Sequence, residues 1–315
     1  MSTQLKDIQH SEADTNSLFE KLPQRHKEAE IITAESRSTF QESWARLRKN
    51  RYAMTGMYVL ILIIILAIVC PILSPYNTYT NNLDNQFAPP SAKHWFGTDN
   101  LGRDLFTRSW RGVQISLIVG FAAALIDLVV GVAYGGIMGF AGKRIGNAMN
   151  KFAEVLYAIP YMLVVILLGV VMGSGLFTII MALSITGWIT MSWIVRGQIL
   201  QLKNQEYVLA AQSMGASGSR ILFRHLIPNT LGPIIVTVTL SVPSAIFTEA
   251  FLSFLGLGVQ SPDASLGSLI SEAISTWTLY PWVMAIPASL LCITMIAFNI
   301  FGDGLQDAFD PKMKK

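Results

Sequence analysis

Three acidic residues, Asp127, Glu154 and Glu249, fall in otherwise apolar stretches of the chain, and they are the residues best placed to do chemistry. A charge at mid-bilayer costs about 2.5–3.5 kcal/mol on insertion scales, so each needs a physical reason. Glu154 lies near the end of its apolar run, where its carboxylate reaches the interface. Asp127 sits deeper, in a glycine-bearing run, and reads as a structural hydrogen-bonding group. Glu249 supports two readings of equal weight, a group on a water-filled path or a hydrogen bond between helices.

Catalytic patterns are not expected elsewhere. Gly142-Lys143 brings a phosphate loop to mind, but that loop needs Gly five residues before the second Gly and Ser/Thr after the Lys. Position 137 is Ile and position 144 is Arg. No Ser/His/Asp, HExxH or GxSxG arrangement occurs. His10, His26, His94 and His225 are scattered over tail and loops, and Cys70 and Cys292 each stand in an apolar run without a second ligand at metal spacing. The chain is therefore read as non-catalytic, with neither metal nor disulfide.

The elements that hold these residues are membrane helices. The chain is 52% hydrophobic and 14% charged, with mean hydropathy +0.46. That is more apolar surface than one soluble core needs. A spanning helix takes about 20 apolar residues, and such runs occur near 53–73, 113–141, 152–172, 176–195, 231–255 and 282–302. The predicted fold class is an all-α integral membrane protein with six transmembrane helices. The first run follows a long polar tail and lacks a cleavage pattern, so it is read as a retained span.

Basic residues resist translocation, which sets orientation. One set of loops and tails holds Arg46, Arg48, Lys49, Arg51, Lys143, Arg144, Lys151, Arg196, Lys203, Arg220, Arg224, Lys312, Lys314 and Lys315; the other has Lys93, Arg103, Arg108 and Arg111. Both termini are thus expected in the cytoplasm, with 74–112 and 256–281 outside. The net charge of +3 reflects this anchoring in lipid and not nucleic-acid binding.

Residues 1–37 read as a polar tail. Ser38 and Gln41 form a candidate capping box opening an interfacial helix over 38–52, with Phe40, Trp44 and Leu47 on one face and Arg46, Arg48 and Lys49 on the other. Gly131, Gly135 and Gly139, spaced by four, form a candidate helix-packing seam. Pro160, Pro243 and Pro287 fall within spans and allow kinks. Trp188, Trp193, Trp277 and Trp282 are placed near span ends, as in an interfacial belt.

The segment 204–229 is a polar island between apolar runs. From Glu206 onward, Tyr207, Ala210, Ala211 and Met214 share one helical face, and Gly215 supplies a left-handed stop. A second short helix is expected from Ser217 or Ser219 to about Leu226, ended by Pro228. Ala210 and Ala211 are small enough to let another protein's surface come close.

Ala210-Ala211, Gly215 and the Ile227-Pro228 end resemble the EAA loop of ABC-importer permeases, and Arg224 to Asn229 is similar to the peptide-importer branch. Leu209 replaces the family's name-giving Glu, and His225 stands where many members have Ile. The run Trp95 to Asp104 (WFGTDNLGRD) also resembles the outward segment before the second span in oligopeptide, dipeptide and nickel permeases of the C type. Together these cover about residues 40–310.

The resemblance implies a type I ABC importer permease fold in the bacterial plasma membrane, with a permease core over 113–305 and a short cytoplasmic tail at 306–315. It implies a heterodimer with a second, related permease, two cytoplasmic ATPases that use ATP and Mg, and an extracellular peptide-binding protein. Glu206, Tyr207, Ala210, Ala211, Met214, Gly215, Ala216, Ser217 and Arg220 would couple this chain to an ATPase. On the path, Glu249 would meet a peptide's amino terminus. Nickel or another small cargo, an ion-gradient-driven transporter using Asp127 and Glu249 as relays, and a non-transporting scaffold or sensor are the alternatives.

Overall fold

Helices account for nearly all regular structure in the computed structural model, which describes residues 39–309. Such a backbone is what lipid demands, because a helix satisfies its own N–H and C=O groups where no water can. The chain divides into two units, Met1–Glu42 and Ser43–Lys315. The polar tail and the Ser38 cap lie outside the described residues.

Helix α1 (Thr39–Lys49) turns Leu47 inward against Ala53, Leu305 and Ala308, while Trp44 stays exposed with the Arg48 guanidinium 5.1 Å above its ring. Asn50 then breaks the chain's direction. Its side-chain oxygen accepts from the amides of Tyr52 and Ala53 at 3.1 and 3.2 Å, capping α2 (Arg51–Leu73). Ile61, Leu62, Ile65, Ile68 and Ile72 of α2 face outward, an apolar surface suited to lipid.

The longer helices that follow are α3 (Leu105–Phe140), α4 (Lys143–Tyr157), α5 (Tyr161–Met172), α6 (Leu176–Leu202), α7 (Glu206–Ser213), α8 (Leu231–Phe254), α9 (Leu266–Ala273) and α10 (Pro281–Phe309). Five of them, α2, α3, α6, α8 and α10, are each long and apolar enough to cross a membrane. The third expected span is not one straight helix. It is the pair α4 and α5, bent by 74° at a break where Pro160 precedes α5. Proline has no N–H to continue the ladder, and it disfavours the helical conformation in the residue before it. Glu154 accordingly sits on α4 ahead of the bend, exposed, beside Asn150 and Lys151.

Two further expectations change. The second span starts at Leu105 and not at 113, so Arg108 and Arg111 are helical residues. Trp188 and Trp193 lie in the interior of α6, not at its end, because the helix runs through the polar residues after 195 to Leu202. There they pack edge-on against Tyr134 (4.7 Å) and Tyr157 (5.1 Å).

The centre of the bundle is the contact between α3 and α6. A Cβ on Gly135 would come within 2.3 Å of the Ser192 carbonyl oxygen; one on Gly131 would meet the Met191 side chain at 2.6 Å, and one on Gly139 the Ile199 side chain at 2.9 Å. The two backbones therefore touch where these glycines stand, and van der Waals packing replaces the hydrophobic drive that lipid does not supply.

At the end where α3 begins, residues 94–104 fold into a charged plug. Asp99 accepts from Arg103 Nε at 2.7 Å, from Arg108, and from the amides of Leu101 and Arg103 at 2.9 Å each. Glu272 of α9 closes the network onto Arg103 (3.2 Å) and Arg108 (3.3 Å). Two carboxylates and two guanidiniums balance, so the burial of Asp99, Arg103 and Arg108 is compensated. Alongside, Asp104 caps α3 through the Thr107 amide (2.8 Å) and binds His94 Nδ1 (2.8 Å). The chain segment between the first two spans is thus fastened to α3 and α9.

Two stability outcomes follow. Gly135→Ala should lower stability by about 1–3 kcal/mol through overpacking, whereas Gly136→Ala, whose Cβ would find its nearest neighbours at 3.7 Å, should be near neutral; thermal unfolding in detergent reads the difference. Arg108→Met leaves Asp99 short of a buried partner and should cost about 3–5 kcal/mol, seen as a lowered midpoint in the same assay.

Candidate functional site: an exposed knob and a polar groove

Between α6 and α8, at the end opposite the charged plug, residues 203–230 form a protruding knob. Its inner side is apolar: Val208, Ile221, Leu222 and Leu226 pack with Met191, Val195, Ile199 and Ile234 from the adjoining spans. The outer side carries Glu206, Tyr207, Ala210, Met214, Ser217 and Arg220, all exposed, with Met214 at 83%. An unbranched apolar side chain held that far into solvent on a polar loop is an adaptable contact surface.

The turn between the two arms is a Schellman motif. Gly215 adopts φ +80°, its N–H donates to Gln212 O at 2.9 Å, and the Ala216 N–H donates to Ala211 O at 3.0 Å. Nothing lies within 4 Å of where a Gly215 Cβ would stand. Glycine is needed there for its backbone conformation and not for space.

Two details differ from the sequence reading. Ala211 is buried with Val208 and does not join the exposed face of Tyr207, Ala210 and Met214. Its carbonyl and side chain anchor the turn instead. The second arm also does not stop at Pro228. A helical turn at Gly218–Arg220 widens into a π-helical stretch, Ile221–Leu226, and runs on through Ile227–Asn229 to α8. Widening displaces the carbonyls that the proline ring would strike. The Asn229 side chain donates to the His225 carbonyl at 2.5 Å. Phe223, 66% exposed, adds an outer apolar group that loop chemistry alone did not single out.

Within the bundle, a groove of about 430 Å³ opens between α3, α5, α6 and α8. Asp127 comes from α3, Tyr161 from α5, and Thr186, Gly187 and Thr190 from α6. From α8 come Thr237, Ser241, Ser244 and Thr248, a hydroxyl stripe at positions i, i+4, i+7 and i+11 on one helix face. This stripe is not among the residues singled out from sequence; the signal that marks it is a helical period of hydroxyls inside an apolar run. Hydroxyls and one carboxylate interrupt a lining that is otherwise apolar, with Leu183, Ile194 and Leu240 among it.

Glu249 is not part of that lining. It is fully buried, accepting from Ser116 of α3 at 2.8 Å and from Ser253 at 2.7 Å, and Ser253 in turn accepts the Val259 amide at 3.2 Å. One residue beyond Thr248 on a helix, its side chain swings away from the groove and into the α3–α8 contact. The reading as a hydrogen bond between helices describes its position, and the path reading does not. Asp127, read from sequence as structural, is the acidic residue that the groove displays.

Gly131, Gly135 and Gly139 lie in the α3–α6 contact. His94 and His225 are far apart in the chain's topology, in the plug and the knob, while His10 and His26 lie outside the described residues.

Residues 131–315 match the family described as the binding-protein-dependent transport system inner membrane component, and residues 38–90 match the N-terminal transmembrane domain of oligopeptide transport permease C. The chain is 53% identical, over 95% of its length, to the oligopeptide transport system permease protein OppC of Bacillus subtilis, covering 98% of that protein. It is 52% identical to the dipeptide transport system permease protein DppC of the same organism over 93% of its length, covering 92% of that relative. Escherichia coli OppC is 42% identical over 90% of this chain and 95% of its own. Among solved structures, a chain of the MetNI methionine ABC transporter in an inward-facing conformation aligns with TM-score 0.53 at 18% identity, covering 64% of this chain and 95% of that one; the likeness is one of fold.

Replacing Glu249 by Gln preserves the shape and one acceptor for the serines, and should leave folding and any transport within about twofold of wild type. Glu249→Leu strands the Ser116 and Ser253 hydroxyls and should cost about 1–3 kcal/mol, measured as a fall in the detergent unfolding midpoint.

Proposed function

Because this chain belongs to the family of binding-protein-dependent transport system inner membrane components, we propose that it is the permease subunit of an ATP-driven importer of short peptides. It pairs with a second, related permease to enclose the path. Two cytoplasmic ATPases, which use ATP and Mg, drive the cycle, and an extracellular binding protein delivers the peptide. The names of the relatives, oligopeptide and dipeptide permeases, favour peptides over nickel as cargo.

The observation that carries the coupling role is the knob at 203–230, whose apolar inner side grips α6 and α8 while Tyr207, Ala210 and Met214 face out. We assign docking on an ATPase to its outer residues: Glu206, Tyr207, Ala210, Met214, Gly215, Ser217 and Arg220. Ala211 and Ala216 hold the turn in shape. The basic residues gathered at this end, Arg196, Lys203, Arg220 and Arg224, support a cytoplasmic position for the knob. An ATPase that closes on a docked knob pulls on α6 and α8 together, and those helices form two walls of the polar groove. ATP-driven motion is thereby converted to a change in access to the groove.

An ion-driven transporter would use buried carboxylates as proton relays, but Glu249 is enclosed by serines outside the groove, leaving Asp127 without a second carboxylate there. Uptake into reconstituted vesicles containing the full complex should follow ATP and survive an uncoupler. Loss of uptake on collapsing the ion gradient, with ATP present, would transfer the protein to the other class.

Docking is tested by co-purification with the ATPase subunits in mild detergent. Gly215→Leu imposes about 1–2 kcal/mol of backbone strain at the left-handed position and should abolish capture while membrane insertion is retained. Gly215→Asn, a residue that tolerates that conformation, should keep most of it. Undiminished capture by both Gly215→Leu and Met214→Asp would remove the knob from the interface.

A further inference from the structure

Asp127 is the one acidic side chain among the described residues lining the groove, and none of those residues is Lys, Arg or His. Its Oδ1 is buried without a hydrogen-bond partner, and so is the Tyr161 hydroxyl on the same groove. The carboxylate rests over the backbone of α6 at Gly187, where a Cβ would lie 2.6 Å from both of its oxygens. Close packing against bare backbone holds it at the groove wall.

The hydroxyls opposite are not neutral bystanders. Thr237 Oγ1 donates to the Pro233 carbonyl at 2.8 Å, Ser241 Oγ to the Thr237 carbonyl at 2.9 Å, and Thr248 Oγ1 to the Ser244 carbonyl at 2.8 Å. Each hydrogen is thus spent on the helix's own backbone, four residues back. What these groups offer the groove is oxygen lone pairs. A carboxylate and three hydroxyls whose hydrogens are already spent, lining one groove, favour donors and positive charge over anions. The groove's volume is that of a small-molecule site.

We propose that Asp127, with the acceptor stripe of α8, is the station that holds the α-ammonium group of a peptide as it crosses the membrane. This rests on the peptide-importer reading above and names which end of the cargo the permease recognises. Three donors on an ammonium match a carboxylate and flanking hydroxyl oxygens, and a free amine is the cationic group that every unmodified short peptide carries. The groove then acts on charge and leaves side chains unread.

Saturation-transfer NMR on the purified full complex, without the binding protein, tests the station directly with trialanine and N-acetyl-trialanine as probes. Wild type should give a trialanine signal at least fivefold above that of the acetylated peptide. Asp127→Asn should erase the difference, and Asp127→Glu should retain it. Equal signals from the two peptides in wild type, no trialanine signal at all, or an undiminished difference in Asp127→Asn would overturn the assignment. So would Asp127→Asn releasing the partner permease while peptide binding persists, since the carboxylate would then belong to a subunit contact. ATP-driven uptake of trialanine by wild-type vesicles separates the two levels: uptake without Asp127 dependence leaves the importer standing and removes the station, and absence of uptake removes the importer itself.

Discussion

Contact between the backbones of α3 and α6 governs the rest of the bundle. Lipid gives helices no hydrophobic reason to associate, so the tightest approach must come from van der Waals contact over surfaces without side chains. Gly131, Gly135 and Gly139 provide that surface against Trp188, Met191, Ser192, Arg196 and Ile199. Once α6 lies on α3, its last turns present Val195 and Ile199 as the seat of the knob. The opposite edge of the same contact brings Gly187 under Asp127 and opens one wall of the groove. The groove wall and the seat of the knob are therefore consecutive stretches of one packed helix.

The two ends of the bundle are held by different physics. On the side of the Trp95–Asp104 run, Asp99, Arg103, Arg108 and Glu272 form an ionic plug that ties a long connection to α3 and α9. On the other side, an apolar seat carries a polar exterior. Buried charge networks tolerate little displacement because each partner lost leaves another uncompensated, and the close-packed apolar seat moves with the helices that carry it.

Much of this was legible in the sequence. Apolar runs marked the spans, the glycine spacing marked α3, and the polar island at 204–229 marked the knob with Gly215 at its tip. What escaped has specific causes. Arg108 looked like a loop residue because its counter-charges, Asp99 and Glu272, lie 9 and 164 positions away in the chain. Pro160 was legible as a kink, but a 74° break needs the geometry of both flanking helices. The contrast between Asp127 and Glu249 is the clearest case: each is one carboxylate in an apolar run. Helical spacing already sets Ser253 beside Glu249, but only the three-dimensional arrangement adds Ser116 of α3 and leaves Asp127 Oδ1 without a partner.

The turn at Gly215 keeps its form through main-chain hydrogen bonds and one glycine, and no side chain crowds its tip. Structure and identity are consequently uncoupled on this surface. Met214, 83% exposed, supports little behind it, and the exposed parts of Tyr207 and Leu209 can change at small folding cost. With the knob as the ATPase-docking surface proposed above, a lineage that duplicates such a permease could rewrite which motor it answers to by surface substitutions alone, and related complexes in one membrane could remain insulated from each other while sharing a single architecture.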